Sequence, residues 1–89
     1  MSATIVQQRV KDYEAWRKEF DAMRHVRASM GADGDQVYRD SDDPHKVTII
    51  LKWKSLADAR KYFNSPELKA AISRAGVEGP QSISFAEEK

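Results

Sequence analysis

Arg27 is the residue whose position most directly indicates chemistry. It falls on the same helical face as Tyr13, Trp16 and Phe20, where steps of three and four residues predict a buried apolar stripe. A charge in that stripe must meet a carboxylate, carbonyl oxygens, water or an anionic ligand, because an unpaired buried charge is costly. Arg27 is therefore either an anion or enolate clamp at a cavity edge, or a side chain that extends past the last helical turn to solvent.

Further candidates lie in predicted strands. Tyr38 could donate a hydrogen bond to a ligand oxygen and stack on an aromatic ring, or pack with its hydroxyl in water. Trp53 could wall a flat ligand or belong to the core beneath the helices. Lys52 and Arg9 could line the same cavity or block unwanted strand pairing. The candidate cavity residues are Gln8, Arg27, Tyr38, Thr48, Lys52, Trp53 and Ser82.

Other reaction types find little support. His25 falls on the side of the helix away from the stripe and His45 lies in a turn, so neither is placed as a buried base. The acidic segment 40–43 lacks the glycine and the terminal glutamate of a calcium loop, and no metal site is expected. The sequence has no glycine-rich phosphate loop and no plausible catalytic triad, so no catalytic residue is assigned.

Composition narrows the class of protein. The chain has 89 residues, which predicts one domain over residues 1–89. Fifteen Lys and Arg balance fourteen Asp and Glu along the whole chain, which argues against nucleic-acid and anionic-membrane partners. There is no cysteine, the longest apolar run is Val47–Leu51, and the start lacks the pattern of a secretory signal. We expect a cytoplasmic protein.

The elements that must position these candidates follow a βαββαβ order. Predicted caps at Asp12, Ser55 and Ser65 begin helical segments, and Gly31 and Gly76 end them. The segment Asn64–Pro66 breaks the second helix in two. The predicted strands are Thr4–Val10, Gln36–Asp40, Lys46–Trp53 and Gln81–Ala86. This is the α+β, ferredoxin-like plan, a four-stranded antiparallel sheet with its helices on one face.

Strand alternation assigns the two sheet faces. The helix-facing row on the third strand is Val47, Ile49, Leu51 and Trp53. The opposite face is mixed, with Thr48, Ile50, Lys52, Gln36, Tyr38, Asp40, Ser82 and Ser84. A homodimer in which two such faces enclose a partly polar cavity accounts for this mixture. The alternative is a partly solvated sheet on which Ile50 and Tyr38 cover their neighbours.

Several motifs resemble those of a known superfamily. They are Tyr13–Trp16, Val37–Asp40, Asp42–Pro44, Ser65–Leu68 and Ala75–Val77. With these the chain resembles the dimeric α/β-barrel superfamily, and within it the antibiotic-biosynthesis monooxygenase-like domains. The resemblance implies two ferredoxin-like sheets packed into a barrel. Its members include cofactor-free oxygenases of aromatic polyketides, haem-degrading enzymes, polyketide cyclases and proteins without known activity.

The resemblance also bears on histidine chemistry. Relatives often carry histidine at the positions of Gln8 and Met23, which weakens any transfer of a histidine-dependent function to this chain.

Two functions are compatible with these features of the sequence. The first is an oxygenase, cyclase or isomerase that needs no cofactor and acts on a small aromatic or polyketide-like molecule. Arg27 and Lys52 would stabilise enolate charge, Tyr38 and Gln8 would orient oxygens, and Trp53 would pack the ring. The second is a non-catalytic dimer that binds a small ligand or serves as an accessory subunit. An RNA-binding domain would need aromatic residues on the open face of the central strands with basic charge around them, whereas the third strand offers Thr48, Ile50 and Lys52 there.

Overall fold

The computed structural model describes residues 1–89 and contains four strands and four helical segments. In chain order these are β1 (Ser2–Val10), α1 (Tyr13–Ala22), α2 (Arg24–Ser29), β2 (Ala32–Arg39), β3 (Lys46–Trp53), α3 (Leu56–Phe63), α4 (Pro66–Ala75) and β4 (Val77–Glu87). The predicted order is confirmed, and both β2 and β4 begin four residues earlier than the sequence indicated. No helix is both long and apolar enough to span a membrane.

The strands form one antiparallel sheet in the order β2-β3-β1-β4. The central strand β1 pairs on both sides, so that Val6 lies opposite Ile49 of β3 and Ile83 of β4. This order is that of the ferredoxin-like fold, and the fold-class prediction is confirmed.

Side-chain caps fix where the helices begin. The carboxylate of Asp12 accepts the backbone N–H of Glu14 at 2.9 Å, and the hydroxyls of Ser55 and Ser65 cap α3 and α4 in the same way. Gly76 ends α4 with φ of 73°, the left-handed conformation that glycine adopts without strain. The predicted caps and the predicted break before Pro66 are thus confirmed.

The first helix differs from its prediction because it is broken at Met23. The apolar stripe continues through the break, and so periodicity alone did not reveal it. The guanidinium of Arg27 reaches back from α2 and donates to the carbonyl oxygen of Phe20, in the last turn of α1, at 2.8 Å. This contact joins the two segments across the break.

The core lies between the helices and one face of the sheet. The predicted row on β3 is buried there, and the other buried apolar residues come from β1, α1, α3 and α4 and from Met23 at the break between α1 and α2. The cluster comprises Val6, Val10, Trp16, Met23, Val47, Ile49, Leu51, Trp53, Ala59, Tyr62, Ala71 and Ala75.

Candidate functional site

A cavity of about 60 Å³ lies inside the core, between the sheet and the helices. Thirteen of the seventeen residues that line it are hydrophobic, and all four helical segments contribute to its wall. The sheet supplies Val6, Ile49 and Leu51, α1 supplies Trp16 and Phe20, and Met23 lines the cavity from the break between α1 and α2. An apolar chamber with a few convergent polar groups is the usual form of a small-molecule site.

Arg27 is the only cation that lines this cavity, and its side chain is 2% exposed. Its guanidinium carbon lies 3.8 Å from the centre of the Phe20 ring, a cation–π contact, and Nη2 lies 3.5 Å from the Asp35 carboxylate. The interpretation that Arg27 extends to solvent is therefore wrong. The buried charge of Arg27 is instead compensated by the Phe20 carbonyl oxygen, the Asp35 carboxylate and the face of the Phe20 ring.

Gln8 faces the free space of the cavity. Its side chain is on the helix-covered face of β1 and only 7% exposed. No side-chain nitrogen or oxygen atom is both inaccessible to solvent and without a hydrogen-bond partner. The Gln8 amide forms no hydrogen bond within the protein, so it cannot be inaccessible, and the space that it adjoins is the cavity. Its polar atoms are consequently open to the cavity, where the amide can donate to and accept from a ligand.

Tyr62 adds a hydroxyl to the same chamber. Burial raises the pKa of this phenol above its ordinary value of 10.0, and the nearby positive charge of Arg27 offsets only part of that rise. The hydroxyl is therefore protonated at neutral pH and available as a hydrogen-bond donor. Gln8, Arg27 and Tyr62 together give the apolar cavity three kinds of polar contact.

Glu19 is the acidic residue at the cavity rim. Its carboxylate lies 3.2 Å from Nε of Arg74, so α1 and α4 are joined by this ion pair. The Glu19 carboxylate is therefore engaged in this contact between the two helices, and we assign it no catalytic role.

The seven predicted cavity residues do not come together. Strand alternation places Gln8 beneath the helices, whereas Tyr38, Thr48, Lys52 and Ser82 lie on the open face. The prediction of one shared cavity is wrong for this reason, because the sheet separates the two groups.

Trp53 lies on the helix side and does not line the cavity. It is 0% exposed, and its indole Nε1 donates to the hydroxyl of Thr4 at 3.0 Å. The core interpretation is the correct one for Trp53, and the indole that does line the cavity is that of Trp16.

Three residues of the site were missed by sequence reasoning: Trp16, Asp35 and Tyr62. Trp16 had been assigned only to the apolar stripe. Tyr62 follows Ala59 by three residues on α3, and this spacing was a usable signal for the buried face. Asp35 had no local signal, since its role depends on β2 passing beside α2.

The histidines and the acidic turn have local roles. His25 and His45 are exposed, and Nδ1 of His45 lies 3.0 Å from the carbonyl oxygen of Val10. Asp43 accepts the backbone N–H of His45 and a side-chain bond from Arg9, which together lower its pKa. No group of three or more His, Cys, Asp or Glu residues is arranged to hold a metal ion.

The open face of the sheet is apolar at its centre. Ile5 lies opposite Ile50 there, and both are half-buried. Thr48 lies 3.5 Å from the Gln7 amide on the neighbouring strand, and Tyr38 is 54% exposed at the edge. Polar side chains on this face can therefore remain in water, unlike those in the cavity.

Comparison with known proteins places this geometry in a family. A family model described as antibiotic biosynthesis monooxygenase matches residues 9–74. The chain belongs to this family. The match includes the segments that carry Trp16, Arg27 and Tyr62, and it begins one residue after Gln8. No match was found among curated proteins.

Solved structures of antibiotic biosynthesis monooxygenases share the fold. A Bordetella bronchiseptica protein provisionally assigned to them superimposes with a TM-score of 0.82 at 12% identity, covering 99% of this chain and 96% of that one. A Nitrosomonas europaea protein with the same assignment gives 0.79 at 16% identity, covering 98% and 88%. SnoaB of Streptomyces nogalater, described as a cofactor-independent oxygenase, gives 0.77 at 12% identity, covering 99% and 94%.

Proposed function

We propose that this member of the family is a cofactor-independent monooxygenase of a small, electron-rich phenol. The observation that carries the proposal is the apolar cavity into which Gln8, Arg27 and Tyr62 converge. Membership of the family and the fold shared with SnoaB support the same reaction type. A substrate of this kind can itself supply the electrons that reduce oxygen.

The reaction balances without a cofactor. A phenol with a free para position loses its hydroxyl proton and the hydrogen at that carbon, and the carbon gains one oxygen atom from O₂. The ring is oxidised by four electrons to a para-quinone, and the second oxygen atom leaves as water. For 3-methoxyphenol the products are methoxy-1,4-benzoquinone and water.

Each polar residue has a distinct role in this scheme. The positive charge of Arg27 stabilises the phenolate, which is the form that gives up electrons most readily, and burial strengthens that effect. The Tyr62 hydroxyl and the Gln8 amide hydrogen-bond the substrate oxygen and fix the orientation of the ring. The indole of Trp16 and the ring of Phe20 pack against its faces.

The cavity volume favours a single ring over a fused polyketide. A dry apolar cavity of about 150 Å³ holds benzene, so a ring requires this cavity of about 60 Å³ to widen. The helix breaks at Met23 and Ser65 divide the wall into short segments that can shift for that purpose. A three-ring substrate would need far more displacement.

Oxygen uptake tests the proposal. The protein, freed of metal with EDTA, is mixed with 3-methoxyphenol under ¹⁸O₂, and oxygen consumption and quinone formation are followed together. We expect one quinone per O₂ consumed and one ¹⁸O atom in each quinone. The matched non-ionisable ether, 1,3-dimethoxybenzene, should give no uptake.

A non-catalytic ligand-binding or accessory dimer is the alternative. It would bind the phenol, with quenching of Trp16 fluorescence, and consume no oxygen above the rate in buffer. That result with a panel of one-ring phenols would replace the monooxygenase proposal by this one.

We also propose that the chain forms a homodimer through the open sheet face. The half-buried pair Ile5 and Ile50 and the exposed Tyr38 offer an apolar centre with a polar surround. A domain of 89 residues buries a smaller share of its unfolded-chain surface than a larger domain does, and self-association would add to its stability.

A further inference from the structure

A second cavity lies on the outer side of Arg27, between α2 and β2. This surface groove has a volume of about 300 Å³ and is lined by Arg24, Arg27, Ala28, Ala32, Gly34 and Asp35. Arg27 is the one residue that lines both the groove and the interior cavity. Its guanidinium is therefore the wall between an apolar chamber and a polar groove.

The groove carries more positive than negative charge. Arg24 Nε and Arg27 Nη2 each lie 3.5 Å from the same oxygen of Asp35. Charge-assisted N–H···O bonds are about 2.7–2.9 Å long, so one carboxylate serves two guanidinium groups and binds neither closely. Asp21 also contacts Arg24 at 3.4 Å, but it is shared with Arg17. This ion-pair cluster contains three arginines and two aspartates, so its net charge is positive by one. Its members are Arg17, Arg24, Arg27, Asp21 and Asp35.

The two cavities together suit a ligand that has two chemically different parts. An aromatic ring suits the inner chamber, and a planar anion suits the two-arginine groove, because the guanidinium fork matches a carboxylate in geometry. A spacer of one carbon would let such a ligand extend past Arg27, whose hydrogen bond to Phe20 keeps the guanidinium at the boundary.

We propose that the groove is an anion subsite and that the substrates of this protein are aryl carboxylates with a free para position, such as 3-hydroxyphenylacetate. The inference rests on the proposed function in placing the ring in the inner cavity. The ligand carboxylate displaces Asp35 from Arg27 Nη2 and Arg24 Nε, while the phenol oxygen meets Tyr62 and Gln8. Asp35 is the intramolecular competitor for the subsite.

A fluorescence titration tests the subsite. Quenching of the cavity indole Trp16 is followed as 3-hydroxyphenylacetate is added, and again with 3-hydroxyphenylacetamide, which has the same shape without the charge. We expect the acid to bind about tenfold more tightly than the amide, in line with the strength of a charge-assisted hydrogen bond. Equal affinities for the two compounds would overturn the proposal.

Three variants sharpen the test. Asp35→Asn removes the competing carboxylate and should tighten binding of the acid several-fold without changing that of the amide. Arg24→Gln should weaken binding of the acid several-fold. Arg60→Gln removes the same charge on α3, away from both cavities, and should leave both affinities unchanged. Weaker acid binding in Asp35→Asn, or an equal loss in Arg60→Gln, would contradict the assignment.

Failure of this inference is distinguishable from failure of the proposed function. Oxygen uptake with 3-methoxyphenol does not involve the groove, so uptake without acid–amide discrimination rejects the subsite alone. Discrimination without oxygen uptake from any phenol rejects the oxygenase and retains the subsite.

Discussion

The two faces of the sheet treat polar side chains in opposite ways. On the helix-covered face, Gln8, Arg27 and Tyr62 are each at most 7% exposed and surround a small free volume. On the open face, Tyr38 is 54% exposed and the hydroxyl of Thr48 lies 3.5 Å from the amide nitrogen of Gln7 on the neighbouring strand. A buried polar group without a full set of partners is costly, whereas an exposed one is not. The helix-covered face is therefore the better candidate for a ligand site.

The open face is suited to a different task. Its central Ile5 and Ile50 are apolar, and its polar side chains are accessible to water and can form their hydrogen bonds there. Such a surface can pair with a second copy and exclude water without holding a reactive molecule. We therefore propose that the inner face binds the substrate and that the open face forms the dimer interface.

The largest expected effect is a difference in unfolding free energy between substitutions of two adjacent residues on opposite faces of β3. Trp53→Ala removes a fully buried indole and its bond to Thr4, and we expect it to lower the free energy of unfolding by about 3–5 kcal/mol. Lys52→Ala, one residue earlier on the exposed face, should change it by less than about 0.5 kcal/mol. Urea unfolding of both variants makes the measurement, and similar losses would contradict the assigned faces.

Arg27→Met separates function from stability on the inner face. Asp35 keeps Arg24 as a partner, and methionine fills much of the space of the arginine stem, so the unfolding free energy should change by less than about 1.5 kcal/mol. Oxygen uptake should fall about 100-fold because phenolate stabilisation is lost. Arg60→Gln is the charge control and should retain full uptake. Full uptake in Arg27→Met would remove Arg27 from the site.

Ile50→Lys tests the open face. A charge at the centre of the proposed interface should weaken dimerisation at least about tenfold, as measured by sedimentation equilibrium, with less effect on folding because the site is only half-buried. Ala57→Lys, on the exposed side of α3, is the matched control and should leave the dimer unchanged. A dimer that tolerates Ile50→Lys and not Ala57→Lys would place the interface on the helices.

The smallest effect concerns the pH dependence of stability. The raised pKa of Tyr62 means that the folded protein holds this proton more tightly than the unfolded chain. Between the unfolded pKa of about 10 and the higher folded pKa, stability must fall as pH rises. In Tyr62→Phe, urea midpoints measured between pH 9 and 11 should decline less steeply than in the parent protein. Identical slopes would show that the hydroxyl is not shielded.

Sequence periodicity predicted most of the fold and less of the site. The caps at Asp12, Ser55 and Ser65 and the row on β3 were readable because they depend on local chemistry and strand alternation. Alternation says which face a residue takes, but not how much space remains between layers. Alternation along β1 puts Gln8 on the same face as Val6 and Val10 and away from Tyr38, so the assignment of Gln8 and Tyr38 to one cavity was wrong. The contact between Arg27 and Asp35 joins α2 to β2 and has no local signal in the sequence.

The most direct test of the account is a crystal structure of the protein soaked with 3-methoxyphenol. We predict ring density between the sheet and the helices, against Trp16 and Phe20, with the phenol oxygen within hydrogen-bond distance of Tyr62 or Gln8. Ring density on the open face, beside Tyr38 and Thr48, with an empty inner cavity, would contradict the central claim.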